Sequence, residues 1–330
     1  MALFRQGLGS EPDASFWKNK TVLVTGAGGF AGGHLCEHLD ILGANVRCFI
    51  RSDEQSPVHG PRDKAIVGDV RDYNTVLEAM NGVDVAFHLA AVTAISEARS
   101  NVFDTFATNS LGTLNFLEAA RTRKTSRLIY VSTCQVYGKQ EKYPIAEDAL
   151  PHPLDIYSAS KLAGENLAGS FAEMYGMNVI ILRPFNHYGP RQRPDFLIPD
   201  VMLRFLKGKE LQLRNPSSTR DFTYVDDIVR GYILLAEKGK SAQVYHLSSG
   251  VERSVREIVD TIAELSGLNP EVSHASEPAR LDISRSVGDH SKASKVTGWE
   301  PEVPFEKGLT RTLEWYQATL GNGISTGVQL

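Results

Sequence analysis

The short apolar run Thr21–Thr25 opens directly onto Gly26-Ala27-Gly28-Gly29-Phe30-Ala31-Gly32, and residues 34–42 then place Leu35, Leu39 and Leu42 on one helical face. No other stretch constrains the chain as strongly. A strand that turns through glycine into a helix begins a βαβ unit. Glycines at 26, 29 and 32 allow a tight turn and a close approach of the backbone to a pyrophosphate. The helix start aims unpaired N–H groups and a positive dipole end at the same point. An ordinary glycine-rich turn would need neither the strand before it nor the helix after it, and both are present. The loop is therefore read as the phosphate cradle of a dinucleotide, with Gly26, Gly29, Phe30 and Gly32 as its contacts.

The rest of the chain repeats the alternation. Strand-like runs fall at residues 46–50, 65–67, 83–87, 128–131 and 179–182, and helical ones at 76–80, 111–120 and 159–175. Strand and helix in turn predict a parallel sheet covered on both faces, an α/β chain with a Rossmann-type doubly wound sheet. Past residue 184 the texture changes to a Pro- and Arg-rich stretch at 190–199 and shorter helices. The expected organisation is a flexible tail over 1–15, an NAD(P)-binding Rossmann domain over 16–187 and a smaller, mainly substrate-binding lobe over 188–330. Segments near 221–250, including a strand at 244–247, are expected to return to the first domain. The last ten residues read as loose.

Composition fits such a molecule and excludes others. The 330 residues are 42% hydrophobic and 22% charged, unlike a disordered chain. Lys and Arg number 35 against 39 Asp and Glu, so no basic excess marks a nucleic-acid surface. No apolar run reaches the length of a membrane span. The N-terminus lacks the basic-then-apolar layout of a signal peptide. The three cysteines, Cys36, Cys48 and Cys134, supply neither a disulfide framework nor a metal knuckle, which points to no metal and a reducing, cytoplasmic setting.

Two strand ends speak to the cofactor. At the end of the second strand Ile50 stands where an acid would take the ribose hydroxyls of NAD, and Arg51-Ser52 follow. Arg51 suits an extra phosphate through paired N–H donors, with Ser52 as a third, and this favours NADP; Asp53 is the alternative, a displaced ribose ligand. Asp69 in Gly68-Asp69-Val70 can accept from the adenine amino group beside the Val70 N–H, or cap the helix that starts near Asp72. His88-Leu89-Ala90-Ala91 leaves room for a dinucleotide at Ala90, and His88 reads as a satisfied buried histidine.

The chemistry centres on Tyr157 and Lys161, spaced i, i+4 at the start of a long helix and so on one face of it. A free phenol has a pKa of about 10. A neighbouring ammonium, with an oxidised nicotinamide, favours the phenolate, which can take a proton from a sugar hydroxyl as hydride leaves the same carbon. Lys161 would also hold the nicotinamide ribose.

With these residues in order, the chain resembles the extended short-chain dehydrogenase/reductases, in particular the nucleotide-sugar epimerases and dehydratases. The glycine loop, Gly68-Asp69-Val70, Ser132-Thr133, Val136-Tyr137-Gly138 and Tyr157/Lys161 carry the likeness, followed by the segments 183–192, 220–227 and 291–301. The resemblance implies that Thr133 hydrogen-bonds at the reacting centre, that Tyr157 is the base and Lys161 its partner. It implies that Asn186, Arg191 and Arg220 face a substrate diphosphate, for which arginine forks are suited. Arg280 is a further contact of this kind, although its spacing to Asp282 departs from the commoner pattern. A homodimer is implied by the resemblance alone.

The family divides at the step after oxidation of sugar C4. Its dehydratases commonly carry Asp-Glu between the Thr and the Val-Tyr-Gly, where this chain has Cys134-Gln135. The expected activity is NAD(P)-dependent modification of a nucleotide-diphosphate sugar through transient C4 oxidation, with 4-epimerisation first. The alternatives are an NADPH-dependent 4-keto-sugar reductase and a dehydratase assisted by Cys134. A dinucleotide-binding redox sensor is the reading that is not an enzyme.

Overall fold

The computed structural model describes residues 10–52, 65–274 and 283–321. Its framework follows from β1 (Thr21–Thr25), whose successive side chains alternate between faces. Val22 and Val24 enter one core and Leu23 enters another. A strand buried on both sides can only sit in the middle of a helix-covered sheet.

The first part of the chain runs α1 (Ala14–Trp17), β1, α2 (Phe30–Ile41), β2 (Asn45–Ile50), β3 (Ala65–Val67), α3 (Tyr73–Ala79) and β4 (Val85–His88). Then come α4 (Ile95–Ser100), α5 (Val102–Phe106), a π-helical turn at Ala107–Leu111, α6 (Gly112–Arg123), β5 (Arg127–Val131), a 3₁₀ turn at Cys134–Tyr137, α7 (Ile156–Tyr175) and β6 (Val179–Pro184). The second part contains β7 (Asn186–Tyr188), α8 (Leu197–Leu206), β8 (Leu211–Leu213), β9 (Thr219–Tyr224), α9 (Val225–Lys238) and β10 (Val244–Leu247). It ends with β11 (Glu252–Ser254), α10 (Val255–Ser266), β12 (Val272–His274), β13 (Arg285–Ser286), α11 (Ser291–Thr297) and α12 (Phe305–Gly321).

Seven strands form the main sheet in the order β10-β6-β5-β4-β1-β2-β3, every pairing parallel. The winding reverses between β1 and β4, and the crevice at such a switch point is where open α/β sheets bind ligands. Residues 244–247 form β10, which pairs with Ile181–Pro184 along the edge of the main sheet. Beside it stands a small sheet centred on β9, flanked by β11 and β13 and paired with β7, and a two-stranded β8–β12 ribbon. No described helix is long and apolar enough to cross a membrane.

The expected tail needs correction over its last six residues; residues 1–9, like 322–330, lie outside the described part. Ser10 N–H donates to the Gly298 carbonyl at 3.1 Å, and Asp13 N–H donates to Glu237 at 2.9 Å. Trp17, fully buried, donates its indole N–H to the same Glu237 carboxylate at 2.6 Å. Glu237 of α9 and Gly298 after α11 thus supply partners that the segment's own composition does not reveal.

Candidate active site

Two glycines make the cradle possible. Gly26 has φ +72°, a left-handed conformation that favours glycine, and a Cβ there would lie 2.7 Å from the Ala90 nitrogen. A Cβ on Gly32 would lie 2.1 Å from the Gly26 carbonyl oxygen. Gly29 is the N-cap of α2 and offers no capping side chain, so the helix-start N–H groups are left for a ligand. A cleft of about 630 Å³ opens over this turn, lined by Gly26, Gly29, Phe30 and Gly32 and, further along, by Arg51, Asp69, Val70 and Ala90. These residues fit a dinucleotide.

The adenosine end departs from expectation in detail. Ser52 does not line the cleft, and Asp53 lies outside the described residues. The Asp69 carboxylate takes the guanidinium of Arg71, which also pairs with Asp104. The Arg71 bond holds the Asp69 carboxyl below the usual carboxylate range. The cap of α3 is Asp72, which accepts from the N–H groups of Asn74 and Thr75, and not Asp69. Arg71 lines the cleft beside Arg51 and was not singled out by the sequence; its place two residues after Asp69 is the signal that could have found it.

At the other end, Asp155 starts α7 through a capping box with Ser158 and so fixes the first helical turn, which carries Tyr157. Tyr157 and Lys161 both line the cleft and both are buried. Burial pushes the Tyr157 phenol above its ordinary value, and a hydrogen bond with Thr133 opposes the rise. Among the protein's own groups, burial is the largest influence on this phenol. Burial also lowers the Lys161 ammonium to about 7, against the pull of Glu165 one turn on. The Lys161 Nζ stands 4.5 Å from the Tyr130 ring centroid, and the Tyr130 hydroxyl donates to the Lys161 carbonyl at 2.9 Å. Cys134 lines the same region, but burial pushes its thiol up to about 12. Burial therefore favours its protonated form.

Behind this group lies a buried network that the sequence did not single out. Arg183 donates to both oxygens of Glu165, at 2.5–3.2 Å, and to the Tyr137 hydroxyl at 2.5 Å. Glu165 continues the Tyr157/Lys161 spacing by another four residues, a signal that was legible. His88 is the satisfied histidine expected, 2.8 Å from the Thr25 hydroxyl and 3.1 Å from that of Thr113. Its pKa is held well below the ordinary value by burial.

The described members of the expected substrate set sit differently. Asn186 lines the cleft and donates to the Asp221 carbonyl at 3.2 Å. Arg191 also lines it, but its guanidinium is bonded to both oxygens of Glu37 on α2, at 2.6 and 2.8 Å. Arg220, on β9, donates to the Thr219 carbonyl and is not among the lining residues. Arg280 lies outside the described residues.

The model of the NAD-dependent epimerase/dehydratase family matches residues 22–276. The chain belongs to this family. It is 34% identical over 245 residues to the GDP-6-deoxy-D-mannose reductase of Pseudomonas aeruginosa, covering 70% of this chain and 80% of that protein. It is 30% identical over 314 residues to a trifunctional UDP-glucose 4,6-dehydratase/3,5-epimerase/reductase of Arabidopsis thaliana, matching 90% of this chain but spanning only 47% of that relative. Among solved structures, the UDP-glucose 4-epimerase of Thermotoga maritima with UDP-glucose superposes with a TM-score of 0.86 at 30% identity, covering 91% of this chain and 99% of that one. Two others, at 32% and 29% identity and TM-scores of 0.85 and 0.80, hold NAD and NADPH. Each likewise covers 91% of this chain and 99% of its own. The chain is thus an NAD-dependent family member of the nucleotide-sugar epimerase, dehydratase and reductase group.

Proposed function

We propose that this protein is a nucleotide-diphosphate-sugar 4-epimerase. The observation that carries the reading is the absence of a carboxylate where dehydration needs one. Among the described residues lining the cleft the carboxylates are Asp69 and Glu97; Asp69 is held by Arg71, and Glu97 faces Arg193 at 3.7 Å. At the position of the dehydratase Glu stands Gln135, whose amide has no basic lone pair for a C5 proton. Epimerisation needs no such base.

A bound oxidised nicotinamide, held by the glycine turn and Lys161, would supply a reversible hydride acceptor at C4 and a positive charge near Tyr157. Tyr157 takes the proton from the C4 hydroxyl and gives it back. Thr133 holds the Tyr157 hydroxyl in place and offsets part of the burial cost of the phenolate. Lys161, behind Tyr157 on the same helix, holds the ribose and supplies positive charge. Incubation with UDP-, GDP-, CDP- and dTDP-sugars, read by mass and NMR, tests the assignment. Unchanged mass with inversion at C4 is the expected result; a product lighter by one water, together with solvent deuterium at C5, would overturn it.

A second reading, an NADPH-dependent 4-keto-sugar reductase, is supported by Arg51 in the cleft wall and by the likeness to a reductase. Arg51→Ala is expected to weaken NADP(H) binding far more than NAD(H) binding, measured by titration; equal wild-type affinity for the two would remove the NADP preference. A cytoplasmic homodimer completes the proposal. An apolar stripe on α5, the π-helical turn and α6 supports the dimer, with Phe103 92%, Phe106 38%, Leu111 46% and Leu114 37% exposed.

A further inference from the structure

The loop after β7 is sewn to the phosphate-binding helix along one line. Phe30, the first residue of α2, stacks on His187 with ring centroids 5.6 Å apart and planes 9° from parallel. One turn on, His34 donates its Nε2–H to the Pro190 carbonyl at 3.1 Å, and its Nδ1 lies 3.7 Å from Asp226. Next comes the two-pronged Arg191–Glu37 pair, whose side chains are 16% and 25% exposed. The loop has further ties besides this pair. Tyr316 of α12 donates to the Gln192 carbonyl at 2.5 Å, and Gln192 donates to the His187 carbonyl at 2.8 Å, both from the second lobe's side. Two residues past Arg191, Arg193 reaches Glu97 of α4. Helices α2 and α4 follow β1 and β4, the strands between which the sheet order reverses. The loop therefore crosses the mouth of the crevice and is tied down on both banks.

We propose that Arg191 is a positioning residue that acts through Glu37 to retain the cofactor, and not a ligand of the substrate diphosphate. The pair closes the seam over the pyrophosphate end of the cleft, so the dinucleotide leaves only when Arg191 and Glu37 separate. This rests on the reading that the cleft holds a dinucleotide, and it deepens it. An enzyme that takes hydride from its substrate and returns it gains from keeping the cofactor between turnovers.

The test uses the full chain loaded with NADH or NADPH and chased with excess ADP-ribose, with release followed by nicotinamide fluorescence. Arg191→Gln and Glu37→Gln are each expected to release cofactor about tenfold faster or more, the scale of a lost charged hydrogen bond. Glu37→Arg combined with Arg191→Glu is expected to restore slow release. Binding of UDP, GDP, CDP and dTDP is expected to stay at the wild-type level in both single variants. Release at the wild-type rate from Glu37→Gln, a near-isosteric change at a partly exposed carboxylate, would overturn the proposal. So would weakened nucleoside diphosphate binding confined to Arg191→Gln, which would return Arg191 to the substrate. A wild-type chain that binds no dinucleotide would overturn the cofactor reading, and this proposal with it.

Discussion

At the scale of the residue, burial shifts the groups of the site, raising the Tyr157 phenol and lowering the Lys161 ammonium. Tyr157 is the group placed to move the C4 proton, and Tyr157→Phe keeps its ring while removing the hydroxyl. Turnover is expected to fall roughly 10²–10⁴-fold, the range for a lost general base, with cofactor affinity kept. Cys134→Ser is expected to remain active, because epimerisation at C4 needs no proton donor or acceptor at C5 or C6. A dead Cys134→Ser variant with rapid C5 exchange would restore the thiol-assisted dehydratase. Lys161 offers a test that needs no substrate. Its ammonium titrates at about 7 in the folded chain, against an ordinary value of 10.5. Between those values the unfolded chain binds the extra proton, so this group makes stability rise with pH across that window. Lys161→Met removes the contribution. Its stability relative to wild type is expected to be greatest below pH 7 and to fall through the window, by at most about 1.4 kcal/mol per pH unit. Urea unfolding at several pH values between 7 and 10 measures the difference, and parallel curves would refute it.

At the scale of the element, α7 carries the chemistry and is held at two points. Asp155 caps its start, and Glu165, two turns beyond Tyr157, is clamped by Arg183 from β6. Both partners of that pair are 5% exposed. Breaking a buried pair leaves a charge without compensation and costs about 3–5 kcal/mol. Arg183→Met is therefore expected to destabilise the protein by an amount of that order, whereas Arg183→Met with Glu165→Leu recovers much of the loss. Thermal and urea unfolding of the single and double variants check this. Equal destabilisation by both would show that packing, and not the orphaned carboxylate, carries the cost.

At the scale of the whole molecule, the switch point between β1 and β4 places two sets of residues face to face. The glycine turn and α2 come from the first part of the chain, and Asn186, Arg191 and Phe222 come from the second. The exposed stripe on α5 and α6 lies outside this cleft. Phe103→Asp introduces a charge at a residue 92% exposed, so the monomer fold is expected to survive. In the proposed homodimer that charge would be buried, and the species sedimenting at micromolar concentration is expected to shift from dimer to monomer. An unchanged sedimentation coefficient would place the dimer contact elsewhere or show that there is none.

The sequence by itself determined the elements and the order of the motifs. The alternation of Val22, Leu23 and Val24, the helical spacing of Leu35 and Leu39, and the four-residue step from Tyr157 to Lys161 are periods set by backbone geometry, so they can be read along the chain. The glycine turn was legible for the same reason: conformations open only to glycine leave glycine in the sequence. Long-range packing decided the rest. Arg191 and Glu37 are 154 positions apart, and Ser10 and Arg230, joined at 3.2 Å, are 220 apart. No local spacing encodes such a partner, and an arginine suited to a phosphate is equally suited to a carboxylate. The raised phenol of Tyr157 and the lowered ammonium of Lys161 arise from water excluded by residues remote in sequence. Desolvation is a property of the folded surroundings, and only the tertiary structure specifies them.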